Sequence, residues 1–173
     1  MEILFDLYEH NDKCRFVLGN STQNALICIG LNPSTATNIK DDNTIRKIQN
    51  MAKNTNKYDG LIMLNLSPEI ATKPSNMSKQ CNQRFYKENL QYIEKIFQIY
   101  QNNDILACWG DNIFIRDYLL HSLKDIYQIN SNVNSNRKWF YLNNLTKSGN
   151  PRHPLYQPKD SIWILFDIQK YLG

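Results

Sequence analysis

Three polar side chains of this 173-residue chain stand just past short apolar runs. Asn32 follows the run 25–30, Asn65 closes the run 60–65, and His153 lies in a proline-flanked loop after the run 138–142. An amide presents a donor and an acceptor side by side, and an imidazole changes charge near neutral pH. Such groups around one cavity would recognise a polar ligand by hydrogen bonds. Asp42, Thr44 and Arg46 follow shortly after Asn32. Their simplest reading is a helix cap with an exposed base, and a phosphate contact is the alternative.

Those positions need elements to hold them. Residues 2–9 and 14–18 are β-like runs separated by the turn residues His10, Asn11 and Asp12, which predicts an N-terminal β-hairpin. The runs 25–29, 60–65 and 104–108 read as strands buried on both faces, and 138–142 as a fourth. Asp41, Asp42 and Asn43 can cap a helix in which Ile45, Ile48, Met51 and Ala52 share a face. Phe85, Leu90, Ile93, Phe97 and Tyr100 predict a long helix over 82–101. Further helices are expected over 112–122 and 161–172, a short strand over 126–129, and a flexible loop over the asparagine-rich 130–136. Strands alternating with helices predict one α/β domain over 1–173, a three-layer α/β/α sandwich with a central, mainly parallel sheet. Ligands bind such sheets beyond the carboxyl ends of the strands. Asn32, Asn65, Trp109-Gly110 and His153 all fall there, Trp109 most simply as a core anchor.

Composition limits the class further. With 42% hydrophobic residues the chain can close a core, and no apolar run approaches the roughly 18 residues that span a bilayer. The first residues lack a basic region and a cleavage site, so a soluble, cytoplasmic monomer without a membrane partner is expected. The charge of +4, from 20 Lys+Arg against 16 Asp+Glu, permits nucleic-acid binding without requiring it. Cys14, Cys28, Cys81 and Cys108 form no CxxC and have no histidine at zinc-finger spacing. Neither a metal nor another cofactor is therefore expected, and Cys28 and Cys108 read as buried hydrophobes. There is no HExxH, GxxxxGK[ST] or GxGxxG, which removes support for a metalloprotease, a P-loop enzyme and a Rossmann dehydrogenase. Because 23 residues are asparagine, the position of an asparagine carries more weight here than its type.

Four segments resemble the uracil-DNA glycosylase superfamily, in order and each after a strand. Gly30-Leu31-Asn32-Pro33-Ser34 resembles its first active-site motif, in which a strand ends in Gly-x-Asp/Asn-Pro. Leu61 to Asn65 resembles the strand whose terminal asparagine reads the Watson–Crick edge of uracil. Cys108-Trp109-Gly110 resembles the Leu-Trp-Gly of a later strand, and His153-Pro154-Leu155-Tyr156 the His-Pro-Ser loop, which holds the glycosylase histidine and a DNA-wedging leucine. The chain also resembles an uncharacterised bacterial domain family marked by GLNPS, Asp-x-Thr-x-Arg and PRHPLY. The glycosylase resemblance implies a fold of that type and a flipped-out base. Asn32 would position water and stabilise the sugar cation, and His153 would donate a hydrogen bond to the departing base. Asn65, Pro33 and Ser34 would form the base pocket. Leu155, Tyr156, Arg152, Lys147 and Arg46 would meet DNA or a protein that mimics it.

Several departures bear on catalysis. Asn32 replaces the aspartate of the strongly uracil-specific branch, Ser34 replaces the tyrosine that excludes the thymine methyl, and Leu155 replaces the phosphate-gripping serine. Residues 35–40 contain no stacking aromatic. Three functions follow. The first is a catalytically impaired glycosylase-fold protein that acts by binding DNA or, as a decoy, a DNA-mimicking glycosylase inhibitor with Leu155 as the handle. The second is an active glycosylase that removes uracil or another damaged or mismatched base through Asn32 and His153. The third is a nucleic-acid-binding module without base flipping, supported by Arg46, Arg116, Arg137, Lys147 and Arg152. For Asn32 a bond within its own loop, and for Asn65 a backbone contact at a strand end, are the structural alternatives.

Overall fold

A computed structural model describes residues 1–173. Its strands are Leu7–His10 (β1), Arg15–Gly19 (β2), Ala25–Gly30 (β3), Gly60–Asn65 (β4), Ile105–Ala107 (β5), Trp139–Leu142 (β6) and Trp163–Leu165 (β7). They form one sheet in the order β1-β2-β4-β3-β5-β6-β7. The four central strands are parallel: β3 pairs with β4 and β5, and β5 with β6. Both edges are antiparallel, with β1–β2–β4 on one side and β6–β7 on the other. The α/β class and the N-terminal hairpin are as the sequence predicts, and the parallel character is confined to the sheet centre.

Helices Asn43–Asn54 (α1), Gln83–Ile99 (α2), Asp117–Asn134 (α3) and Ile168–Leu172 (α4) cover the sheet. Every residue of β3 is buried, because its two faces feed two cores. Leu26 and Cys28 pack with Leu61, Met63, Leu106 and Cys108 beneath Ile45, Ile48 and Met51 of α1. Ile27 and Ile29 face the other way, toward Ile93 and Phe97 of α2 and Leu119, Leu123 and Ile126 of α3. Burying one such aliphatic side chain contributes about 1.5–3 kcal/mol, so each helix is held mainly by its apolar stripe. Helix starts follow their caps: Asp42 accepts from the Ile45 N–H at 2.9 Å, and Asn82 from the Phe85 N–H at 3.1 Å. No helix is long and apolar enough to cross a membrane.

Five local expectations are corrected. Residues 126–129 are not a strand and 130–136 are not a free loop, since α3 runs through to Asn134. Leu119, Ser122, Leu123, Ile126 and Asn130 are its buried residues, and that spacing is helical. A four-residue apolar run fits either element, and only the longer pattern decides. The helix expected over 112–122 is split. A 3₁₀ turn spans Asp111–Phe114, Arg116 is extended, and α3 starts at Asp117. The helix expected over 161–172 is mostly strand and turn: β7 pairs antiparallel with β6, and α4 keeps only five residues. In the hairpin, residues 2–6 lie outside β1.

Strand β2 crosses β4 at Gly19, where there is no room for a side chain. A Cβ there would lie 2.3 Å from the Leu61 carbonyl oxygen and 2.7 Å from Ile62 Cα, both backbone atoms. Gly19→Ala should therefore lower the unfolding free energy by about 2–3 kcal/mol, a cost typical of overpacking. Urea denaturation checks this, and an unchanged midpoint would contradict the close approach.

Candidate ligand-binding site

The carboxyl ends of β3, β4 and β5 open onto a cavity of about 590 Å³. Gly30, Asn65 and Cys108 supply its floor, and the loops after each strand supply its walls. Asn32, Ser34, Asn65, Arg152, His153, Leu155 and Tyr156 all line it, so three of the four resembling loops bring their expected site side chains to one place. Pro33 is buried behind the wall. Lys147 and Arg46 are exposed and stand outside the cavity, and Arg46 pairs with Asp41 at 2.5 Å.

Asn65 is the least compensated of these groups. It is 1% exposed, and neither its Nδ2 nor its Oδ1 has a hydrogen-bond partner in the chain. Its backbone is well held, because Asn89 of α2 donates through Nδ2 to the Asn65 carbonyl at 2.9 Å. The structural alternative for Asn65 thus covers its main chain and leaves the side-chain amide free. Gly30 sits beside Asn65 in the parallel ladder, and a Cβ on residue 30 would lie 2.8 Å from Asn65 Oδ1. Glycine there makes the space that the amide occupies.

Asn32 is engaged differently. Its Nδ2 donates to the Ala71 carbonyl at 2.8 Å and to the Pro33 carbonyl at 3.0 Å. The Ala71 N–H donates to the Pro33 carbonyl at 3.0 Å. The Asn32 amide therefore ties the loop after β3 to the loop after β4, and only its Oδ1 has no partner in the chain. His153 is half-buried and caps the 3₁₀ turn Pro154–Tyr156, its Nδ1 accepting from the Leu155 N–H at 3.3 Å. Accepting at Nδ1 leaves the neutral ring's proton on Nε2. Burial lowers the His153 pKa below its ordinary 6.5, and the negative charge of Asp42 partly opposes this. Gly110, at φ +67°, turns the chain beside His153, and its N–H donates to the Pro151 carbonyl at 2.9 Å. Trp109 is core, 1% exposed, with Nε1 donating to the Tyr171 hydroxyl at 3.2 Å.

The rim differs from expectation in one respect. Leu155 is half-buried and its carbonyl accepts from Lys47 Nζ at 3.3 Å, whereas Tyr156 is 80% exposed. Arg152 is held by the Asn144 carbonyl and side-chain oxygen at 3.0 Å each. No group of three or more His, Cys, Asp or Glu side chains comes together anywhere in the fold.

One lining residue was not anticipated. Arg15 of β2 is 3% exposed and faces the cavity wall. Burial pulls its guanidinium down to about 10, the negative charge of Asp42 partly opposing this, so it stays charged at neutral pH. The available signal was an arginine inside Cys14-Arg15-Phe16-Val17-Leu18, a run otherwise apolar, because arginine is almost never fully buried without a partner.

The profile of the family described as protein of unknown function (DUF1643) matches residues 15–155. The chain belongs to this family. The matched span runs from Arg15 to Leu155 and includes the cavity's lining except Tyr156 and Gln157. No curated protein and no solved structure matches the chain.

Two tests follow from these contacts. Asn32→Asp would face two carbonyl oxygens with a carboxylate, so it should destabilise the fold by about 1–3 kcal/mol instead of creating a catalytic base. Thermal melting at pH 7 reads the loss, and unchanged stability would contradict the tether. For His153, a folded pKa below the unfolded 6.5 means that the unfolded chain binds the proton more readily. Stability is complete above 6.5 and falls as the pH drops through the lowered folded value. His153→Gln should flatten that part of the wild-type pH–stability curve. A wild-type minus variant difference that does not change between pH 7.5 and 5 would contradict the burial argument.

Proposed function

We propose that this chain is a divergent protein of the uracil-DNA glycosylase type that binds a nucleobase in its cavity and excises it weakly or not at all. The carrying observation is the Asn65 amide, buried in the cavity with its donor and acceptor both free. Each unsatisfied buried polar atom costs about 1–3 kcal/mol. A base edge with an acceptor next to a donor would satisfy both at once. The four resembling segments, their order and their placement after strands support the same reading. His153 supports it too, as a neutral ring with its Nε2 proton available. Weak catalysis follows from Asn32, which cannot act as a carboxylate and whose amide nitrogen is committed to the Pro33 and Ala71 carbonyls.

A nucleobase is favoured over the DNA-mimicking inhibitor as the occupant. The expected handle, Leu155, is half-buried, while the cavity stays open.

The test uses short DNA carrying uracil, mismatched thymine or deaminated adenine beside plain duplex. At least one of the modified DNAs should bind more tightly than plain duplex, and Asn65→Ala should weaken that binding about tenfold or more. Little or no abasic product should form at high protein concentration. Robust uracil release that disappears in Asn32→Ala would overturn the impaired-catalysis part. Equal affinity for all DNAs, unaffected by Asn65→Ala, would overturn the base-binding part.

A further inference from the structure

Base binding leaves Arg15 without a role. Its Nη1 donates to the Ala36 carbonyl at 3.0 Å, and its buried Nε has no partner. The chain's two ion pairs are Arg46–Asp41 and Lys57–Asp104, so no carboxylate comes within 4.0 Å of Arg15. Arg137 shows how this fold otherwise houses a buried guanidinium. Its nitrogens donate to the carbonyls of Phe97, Tyr100 and Asn103, and its plane lies over the Phe97 ring at 4.8 Å. Only the Arg137 Nε is unpaired. Arg15 has one carbonyl and a cavity.

A charge withdrawn from water is normally paired, because an uncompensated one is strongly destabilising. The surroundings of Arg15 suit an anion. The amino end of α1 reaches the same cavity through Asn43 and Thr44, whose backbone N–H groups have no acceptor in the chain. Ser34, Thr35 and Thr44 line the cavity with hydroxyls that make no hydrogen bond in the chain. Asp42 also lies there: its Oδ1 accepts from the Ile45 N–H, and its negative charge acts on Arg15 without a direct contact, so a phosphoryl group has to bind against that charge. A guanidinium fork, a helix amino end and hydroxyls are the donors that surround a phosphoryl group.

We propose that Arg15 and the amino end of α1 form a second subsite, which takes the phosphoryl group of a nucleotide. The proposal rests on the base-binding reading for the other end of the ligand, with the base at Asn65 and the phosphate at Arg15 in one cavity. A terminal phosphate on a free mononucleotide is the preferred source, because Arg15 is almost wholly withdrawn from the surface and a continuous strand would have to bring its backbone below the rim. The cavity, at about 590 Å³, falls within the roughly 300–1,000 Å³ typical of small-molecule sites.

Calorimetric titration of wild type, Arg15→Met and Asn65→Ala tests this. The ligands are the natural deoxynucleosides and deoxyuridine, their 5′-monophosphates, inorganic phosphate, and a single-stranded trinucleotide with internal phosphates only. At least one monophosphate should bind wild type about tenfold or more tightly than its nucleoside. Arg15→Met should erase that ratio, while Asn65→Ala should weaken nucleoside and nucleotide alike and preserve it. Equal affinity of nucleoside and monophosphate for wild type, or a ratio that survives Arg15→Met, overturns the subsite. A failure of the base-binding reading is distinct: Asn65→Ala then changes nothing, while inorganic phosphate still binds wild type and not Arg15→Met. If the trinucleotide binds as tightly as the monophosphate and also depends on Arg15, the phosphate comes from a strand, and the preference for a free nucleotide is overturned. Without ligand, Arg15→Met should melt no lower than wild type, since it removes a buried charge that has no direct ion pair. A clearly lower melting temperature would assign Arg15 to holding the Ala36 carbonyl and overturn the proposal.

Discussion

Gly30 and Asn65 are neighbours at the end of the parallel ladder between β3 and β4, and the cavity is built outward from that pair. A parallel ladder fixes which residues lie side by side, because a slip of one residue would turn every side chain to the opposite face. Here the register is also fixed by two different cores. Leu26 and Cys28 must face α1 while Ile27 and Ile29 face α2 and α3. The same constraint that packs the protein therefore places Asn65 at the cavity floor, with a glycine beside it where a Cβ would collide with the amide.

Beyond the strand ends the backbone becomes irregular, and its polar groups need partners. Buried side chains from other elements supply them. Asn89 of α2 donates to the Asn65 carbonyl, Ser122 of α3 to the Leu66 carbonyl, and Asn32 to Pro33 and Ala71. The backbone continues this stitching, with the Leu66 and Ser67 N–H groups donating to the Gly30 and Leu31 carbonyls. The loops that wall the cavity are thus tied to one another and to the helices behind them. These ties restrain the cavity walls, and a preorganised site loses less entropy when a ligand enters.

The parts of this arrangement that were legible in the sequence are those with a local signature. Central strands appeared as short apolar runs, α1 and α2 as capped amphipathic stretches, and the site as polar residues just past strand ends. The carboxyl half of α3 was not legible, because Ile126–Ile129 read alone has no period and the asparagines after it resemble a loop. Asn130 is nevertheless 2% exposed, since its spacing from Ile126 keeps it on the buried face. Strand β7 is defined by its partner β6, a pairing that no local pattern announces. Arg15 was missed for a related reason. Its significance lies in what it lacks, a direct ion pair, and a missing partner is visible only once the fold has placed every candidate around it.

The division of labour among the cavity's polar groups gives the functional reading its direction. Asn32 resembles a catalytic residue, yet its amide nitrogen works as a structural tether between two loops. The Asn65 side chain, the Nε of Arg15 and the Nε2 side of His153 are among the groups whose hydrogen-bonding capacity the chain itself does not use. Catalysis needs a group free to meet the reacting atoms as charge develops, whereas recognition needs groups that are unsatisfied until the ligand arrives. Unpaired atoms at a buried amide and a buried guanidinium cost stability, and the proposed ligand, with a hydrogen-bonding edge and an anion, would offset that cost at both. The proposed role is accordingly to hold such a molecule before breaking one.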